Sequence, residues 1–177
     1  VICADIIGER SRLSPNRTAV VDVATGARLT YHEINLRTAA TARAWLYGLG
    51  LKHGDRVGIL SGNRLEFLDA FFAAAKSGVI LVPLGTRLTA AELAVIVSDC
   101  GLSALVYGAE HAKTVRELTA QADVGRLVAL DEDGAGDDVV WDTLLASIGD
   151  GEYVPAVCQP DDPYCLLYTS GTTGRPK

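Results

Sequence analysis

Four short apolar runs recur along the chain: RVGIL (Arg56–Leu60), VILV (Val79–Val82), ALVY (Ala104–Tyr107) and RLVAL (Arg126–Leu130), each separated from the next by a segment of helical periodicity. Runs of this kind do not alternate polar and apolar positions, so they suit strands covered on both faces. Strands joined through helices can pair in parallel. The expected fold class is therefore α/β, a layered parallel sheet with helices on both faces.

The helical segments carry their own start and stop signals. After Thr30, the residues Ile34, Leu36, Ala40, Ala44 and Leu46 lie on one face of a helix that Gly48 and Gly50 close. Thr30 and Glu33 form a capping box, and Thr89 with Glu92 repeats it ahead of TAAELAVIVSDCG. Asn63 with Glu66 opens a helix through LEFLDAFFAAAKSG, and further helices are expected over Glu110–Gln121 and near Val139–Ser147. Ahead of this body, Ala19–Val23 and Arg28–Tyr31 flank ATGA, a small N-terminal β-hairpin centred on Gly26. The expected organisation is an α/β body over residues 1–150, a proline-bearing connection over 151–162, and a strand plus loop over 163–177.

Composition excludes several roles. The chain of 177 residues has a formal charge of −6 and no basic run to offset it, which argues against nucleic acid or an anionic membrane as partner. The most apolar stretch, GVILVPL, is too short for a transmembrane span, and VICADIIGER is interrupted by Asp5 and Glu9 and has no basic leader, so a cytoplasmic location is expected. Cys3, Cys100, Cys158 and Cys165 form no Cys-x-x-Cys pair and have no histidine at ligand spacing, and they read as reduced core thiols. His32, His53 and His111 stand alone in the sequence and read as surface positions.

Two further motifs fail on inspection. In DEDGAGDD, Asp131, Asp133 and Gly136 match the first, third and sixth positions of a calcium loop, but the fifth is Ala135 and the twelfth Asp142, so a solvated turn is expected. The first strand leads into SGNRLEF, with a single glycine where a dinucleotide fingerprint needs three.

The tail differs. PYCLLY (Pro163–Tyr168) is a buried-strand pattern that runs into Thr169, Ser170, Gly171, Thr172, Thr173 and Gly174, with Lys177 three residues on. Glycines let backbone N–H groups turn toward a phosphate, hydroxyls add donors and can ligate magnesium, and the lysine adds a mobile charge. The spacing is not that of a Walker A loop, and composition alone leaves a flexible polar tail as the alternative.

The whole string YTSGTTGRPK resembles the phosphate-binding signature of the adenylate-forming superfamily, which includes acyl- and aryl-CoA ligases, luciferases and the adenylation domains of peptide synthetases. LTYHEI followed by LKHGDRVGIL, and AAKSGVILVPLGTRLTAAEL, are similar to two earlier blocks of that family. Arg87-Leu88-Thr89 with Glu92-Leu93 is closer to the CoA-ligase branch, while Gly85 replaces a common asparagine. An N-terminal subdomain of an adenylate-forming enzyme is the fold this implies.

The resemblance implies activation of a carboxylic acid with ATP and Mg²⁺, giving an acyl-adenylate and pyrophosphate, then transfer to the thiol of coenzyme A. It places Thr169, Ser170, Gly171, Thr172, Thr173, Gly174 and Lys177 on the β- and γ-phosphates, with Thr169 as the magnesium-linked hydroxyl. The family's acyl pocket, its adenine and ribose contacts and its catalytic lysine lie downstream of Lys177. The 177 residues are thus expected to be a fragment, inactive alone, of a fatty-acid–CoA ligase-like parent. An adenylation domain, an aryl-CoA ligase, an unrelated nucleotide-binding module, and a non-catalytic association module forming a homo-oligomer through the apolar PYCLLY edge are the alternatives.

Overall fold

The structure, a computed structural model, describes residues 5–149, 156, 158, 159 and 161–169. Its centre is a parallel sheet of five strands, β3 (Arg56–Leu60), β4 (Ile80–Pro83), β5 (Ala104–Tyr107), β6 (Arg126–Ala129) and β7 (Val139–Val140), in the order β4-β3-β5-β6-β7. The four runs RVGIL, VILV, ALVY and RLVAL supply β3 to β6 of this sheet, and the two-residue β7 is an addition.

Side chains of successive strand residues separate into two cores. Val57 and Ile59 of β3, Leu81 of β4, Ala104 and Val106 of β5 and Val128 of β6 face one layer, where they meet Ala70, Ala73 and Ala74 of helix α3 (Leu65–Ser77), Trp45, and Trp141 and Leu144 of α6 (Trp141–Ile148). Leu60, Val82, Leu105 and Tyr107 face the other, against Leu93, Ile96 and Val97 of α4 (Ala90–Cys100) and Val115 and Leu118 of α5 (Ala112–Thr119). Burial on both faces is what the unalternating apolar runs required.

Helix α2 (Tyr31–Arg43) continues through a π-helical turn, Ala44–Gly48, that brings Trp45 into the first core. Both capping boxes form: Thr30 Oγ1 accepts from Glu33 N–H at 3.2 Å while Glu33 Oε2 accepts from Thr30 N–H at 2.7 Å, and Thr89 with Glu92 repeats this at 3.3 and 2.8 Å. The expected cap at Asn63 does not form. Arg64 is the N-cap of α3 and makes no side-chain cap, and Glu66 accepts from Arg64 Nε at 2.7 Å instead. A guanidinium two residues away outcompetes a backbone amide for that carboxylate.

The hairpin is present as antiparallel strands β1 (Thr18–Val21) and β2 (Arg28–Thr30). Ahead of it, an unexpected helix, α1 (Ile6–Leu13), packs on α2. No helix among the described residues is long and apolar enough to cross a membrane.

Candidate functional site

In a parallel sheet, ligands collect at the carboxyl ends of the strands, where strand order reverses. Here the chain runs from β3 to β4 on one side, then crosses to β5 on the other, so the reversal lies between β3 and β5. The segment after Pro163 adds to the opposite flank of β4: Leu81 N–H donates to Tyr164 O at 3.1 Å, Leu166 N–H donates to Leu81 O at 2.9 Å, and Leu81 pairs with Cys165 in a parallel bridge. The expected strand Pro163–Tyr168 is thus reduced to one bridge, but its direction is that of the sheet. Thr169, four residues past the bridge, is exposed.

Two phenols hold this segment, one on each helical layer. Tyr164 donates to the carbonyl of Phe71 on α3 and stacks edge-on against the Phe71 ring at 5.1 Å, and Tyr168 donates to Asp99 Oδ2 on α4 at 2.5 Å. Burial, followed by the hydrogen bond to the Asp99 carboxylate, pushes the Tyr168 phenol well up, so it stays a donor at neutral pH. Thr169 is the expected site residue that the structure places. Ser170, Gly171, Thr172, Thr173, Gly174 and Lys177 lie outside the described residues.

Beyond β3 and β6, the carboxyl edge carries a cluster that spacing in the sequence does not reveal. Arg64 Nη1 contacts both oxygens of Asp131 at 3.0 and 2.9 Å, and Asp131 Oδ2 also accepts from Ala109 N–H at 3.0 Å. Arg64, Glu66, Asp131 and Asp142 border a cavity of about 390 Å³. The Arg64 hydrogen bonds hold the Asp131 carboxyl below the usual carboxylate range. With Glu66 and Asp131 on one guanidinium, the cluster satisfies itself. It joins the ends of β3, β5 and β6 and holds Asp131 away from the calcium role that the acidic loop suggested.

The histidines and cysteines match expectation in part. Cys100 is buried, as expected, whereas Cys158 and Cys165 are only partly buried, and Cys3 is outside the described residues. His32 and His53 are exposed, and His111 is partly buried with Nε2 3.6 Å from Glu110 Oε1. His53 stands 3.1 Å from Asp162.

A parallel sheet covered by helices on both faces, with the segment Tyr164–Leu166 added in parallel beside β4, defines a layered α/β architecture. Residues 8–177 match the model of the AMP-binding enzyme family, and the chain belongs to that family of adenylate-forming enzymes. It is 39% identical over 173 residues to the long-chain-fatty-acid–CoA ligase FadD13 of Mycobacterium tuberculosis, a match covering 97% of this chain and 33% of that one. It is equally 39% identical, over 170 residues, to a feruloyl-CoA synthase of Amycolatopsis, covering 95% and 30%.

Among solved structures, a fatty acyl CoA synthetase of M. tuberculosis superposes with a TM-score of 0.79 at 31% identity, over 98% of this chain and 33% of that one. The inhibitor-bound N-terminal domain of FACL13 from the same organism gives 0.79 at 35%, over 99% and 42%. The chain spans about a third of the length of the curated relatives it matches.

Proposed function

We propose that the chain supplies the phosphate-binding part of an ATP-dependent acid–thiol ligase, in which a carboxylic acid and ATP give an acyl-adenylate and pyrophosphate, and coenzyme A then takes the acyl group as a thioester. The observation that carries this reading is the parallel pairing of Cys165 with Leu81 of β4, which ties to the sheet the segment that runs through exposed Thr169 into SGTTGRPK. The family membership and the CoA ligases among the relatives support it.

In this reading the acid's carboxylate oxygen attacks the α-phosphorus in line, and the bond from that phosphorus to the β-bridging oxygen breaks. The step needs the β- and γ-phosphate charge held and screened. Backbone N–H groups of Ser170 to Gly174 and the Lys177 ammonium hold that charge. The Thr169 hydroxyl, an exposed oxygen donor, suits magnesium, which screens the polyphosphate when bound. The thiol then attacks the acyl carbonyl and AMP leaves.

The substrate class proposed is a fatty acid, by the likeness to fatty-acid–CoA ligases; the likeness to a feruloyl-CoA synthase makes an aryl acid the competing class. The 177 residues alone are proposed to be inactive. Exchange of labelled pyrophosphate into ATP, run with long-chain fatty acids and with aryl acids on the chain in its full-length gene product, tests the proposal. Acid-dependent exchange that drops at least ~100-fold in Lys177→Ala supports it, and exchange indifferent to that substitution overturns it. The same assay on residues 1–177 should give none.

A second reading, association through the edge at Pro163–Tyr168, draws on Leu167, which is 71% exposed there. Sedimentation equilibrium decides it, since a monomer at high concentration removes association.

A further inference from the structure

At the opposite, amino-terminal edge of the sheet, three side chains distant in sequence converge beside the end of α3. His53 Nε2 lies 3.1 Å from Asp162 Oδ2, and the ligand atoms of His53, Cys158 and Asp162 all lie within 4.8 Å of one another. We propose that His53, Cys158 and Asp162 form a binding site for a zinc-like divalent cation that clamps the connecting segment 156–162 to the body of the domain. This site uses none of the residues assigned to phosphate, and the inference does not depend on the proposed activity.

The donor set decides the class of cation. An imidazole nitrogen, a thiol sulfur and a carboxylate oxygen suit Zn²⁺, whereas Mg²⁺ and Ca²⁺ select oxygen alone. Tetrahedral zinc with ordinary bond lengths sets such ligand atoms about 3.3–3.6 Å apart. The nitrogen–oxygen pair is already near that separation, and the remaining closure is about an ångström of side-chain rotation. Three protein ligands leave a fourth position for water.

The surroundings favour a cation independently of the ligands. Cys158 Sγ donates to the carbonyl of Ala75 at 3.6 Å, and Ala156 N–H donates to Lys76 O at 2.8 Å, so Ala156 and Cys158 already lie against the last turn of α3. That helix end is the negative pole of the α3 dipole. Gly78, the C-cap residue at φ +72°, leaves room for the imidazole, because a Cβ there would stand 2.2 Å from His53 Cδ2.

Titration of the purified chain with Zn²⁺, and with Co²⁺ as an optical probe, tests the site. Expected are one saturable Zn²⁺ per chain, a thiolate-to-cobalt charge-transfer absorption, and at least tenfold weaker binding in both His53→Ala and Asp162→Asn. The absorption should vanish in Cys158→Ser and persist in Cys165→Ser, with circular dichroism confirming that each variant is folded. Absence of saturable binding, a cobalt–thiolate absorption that survives Cys158→Ser, or folded His53→Ala and Asp162→Asn proteins that bind Zn²⁺ as tightly as the parent would each overturn the proposal.

Discussion

Asp5 and Lys76 share a carboxylate between two tasks: Asp5 Oδ1 accepts from Gly8 N–H at 2.9 Å and caps α1, while Oδ2 meets Lys76 Nζ at 2.6 Å on α3. The Lys76 side chain is 3% exposed, and its ammonium also reaches Asn35 Oδ1 on α2 at 2.6 Å. Asp5→Ala takes the carboxylate from a buried ammonium and should cost about 3 kcal/mol, whereas Lys76→Met, which removes the buried charge itself, should cost less. Urea denaturation of both variants checks the order, and a costlier Lys76→Met refutes it.

Gly58 stands in β3 where the α4–α5 layer crosses the sheet. A Cβ there would lie 2.6 Å from Leu102 Cδ1 and 3.1 Å from Leu105 Cδ1. Gly58→Val should therefore destabilise by about 1–3 kcal/mol through overpacking, and Gly58→Ala by less, with no change in the m-value. Thermal and urea melts that leave Gly58→Val at parental stability contradict the close approach.

Acid should loosen the carboxyl edge. The Asp131 carboxyl is held low by the Arg64 hydrogen bonds, ahead of a smaller opposing effect of burial. A group lowered on folding contributes stability fully above its unfolded value, about 3.9, and loses that contribution as pH falls through the lower folded value. Asp131→Asn should be less stable than the parent at pH 7, and the two should converge between about pH 4 and pH 2. Denaturant midpoints across that range provide the measurement; parallel curves would show that the pair is not coupled to folding.

Tyr164→Phe removes the donor to the Phe71 carbonyl and should cost about 1 kcal/mol. Its more specific effect is local. The Leu166 amide, which donates to Leu81 O, should exchange hydrogen faster in this variant while amides of β5 keep parental rates. Uniform change across the sheet would mean that the phenol supports the whole core rather than this segment.

Periodicity and capping chemistry are local, and they made the parallel sheet and the starts of α2 and α4 legible before the coordinates. Asn63 and Glu66 have the same spacing, yet Glu66 serves Arg64, because a capping signature does not show which cation lies nearby. Helix α1 escaped notice for a different reason: Ile7 is its buried residue, and its anchor is Asp5 meeting Lys76 across 71 residues of chain. The His53–Asp162 contact spans 109 residues, so no ligand spacing in the sequence could announce it. At the candidate site, the family signature was readable as a string of residues, whereas the parallel pairing of Cys165 with Leu81 joins positions 84 residues apart and could not be read from spacing.

That pairing also has a temporal consequence. The strands β3 to β6 close over short connections, but the last segment reaches back to α3 through a hydrogen bond 93 residues long in sequence. Contacts of such separation form late, after the entropy of closing the intervening chain has been met by other structure. The order of folding then follows the order of synthesis, with a finished sheet serving as the template on which Tyr164 to Tyr168 docks. A segment installed last has its course set by a surface that is already rigid.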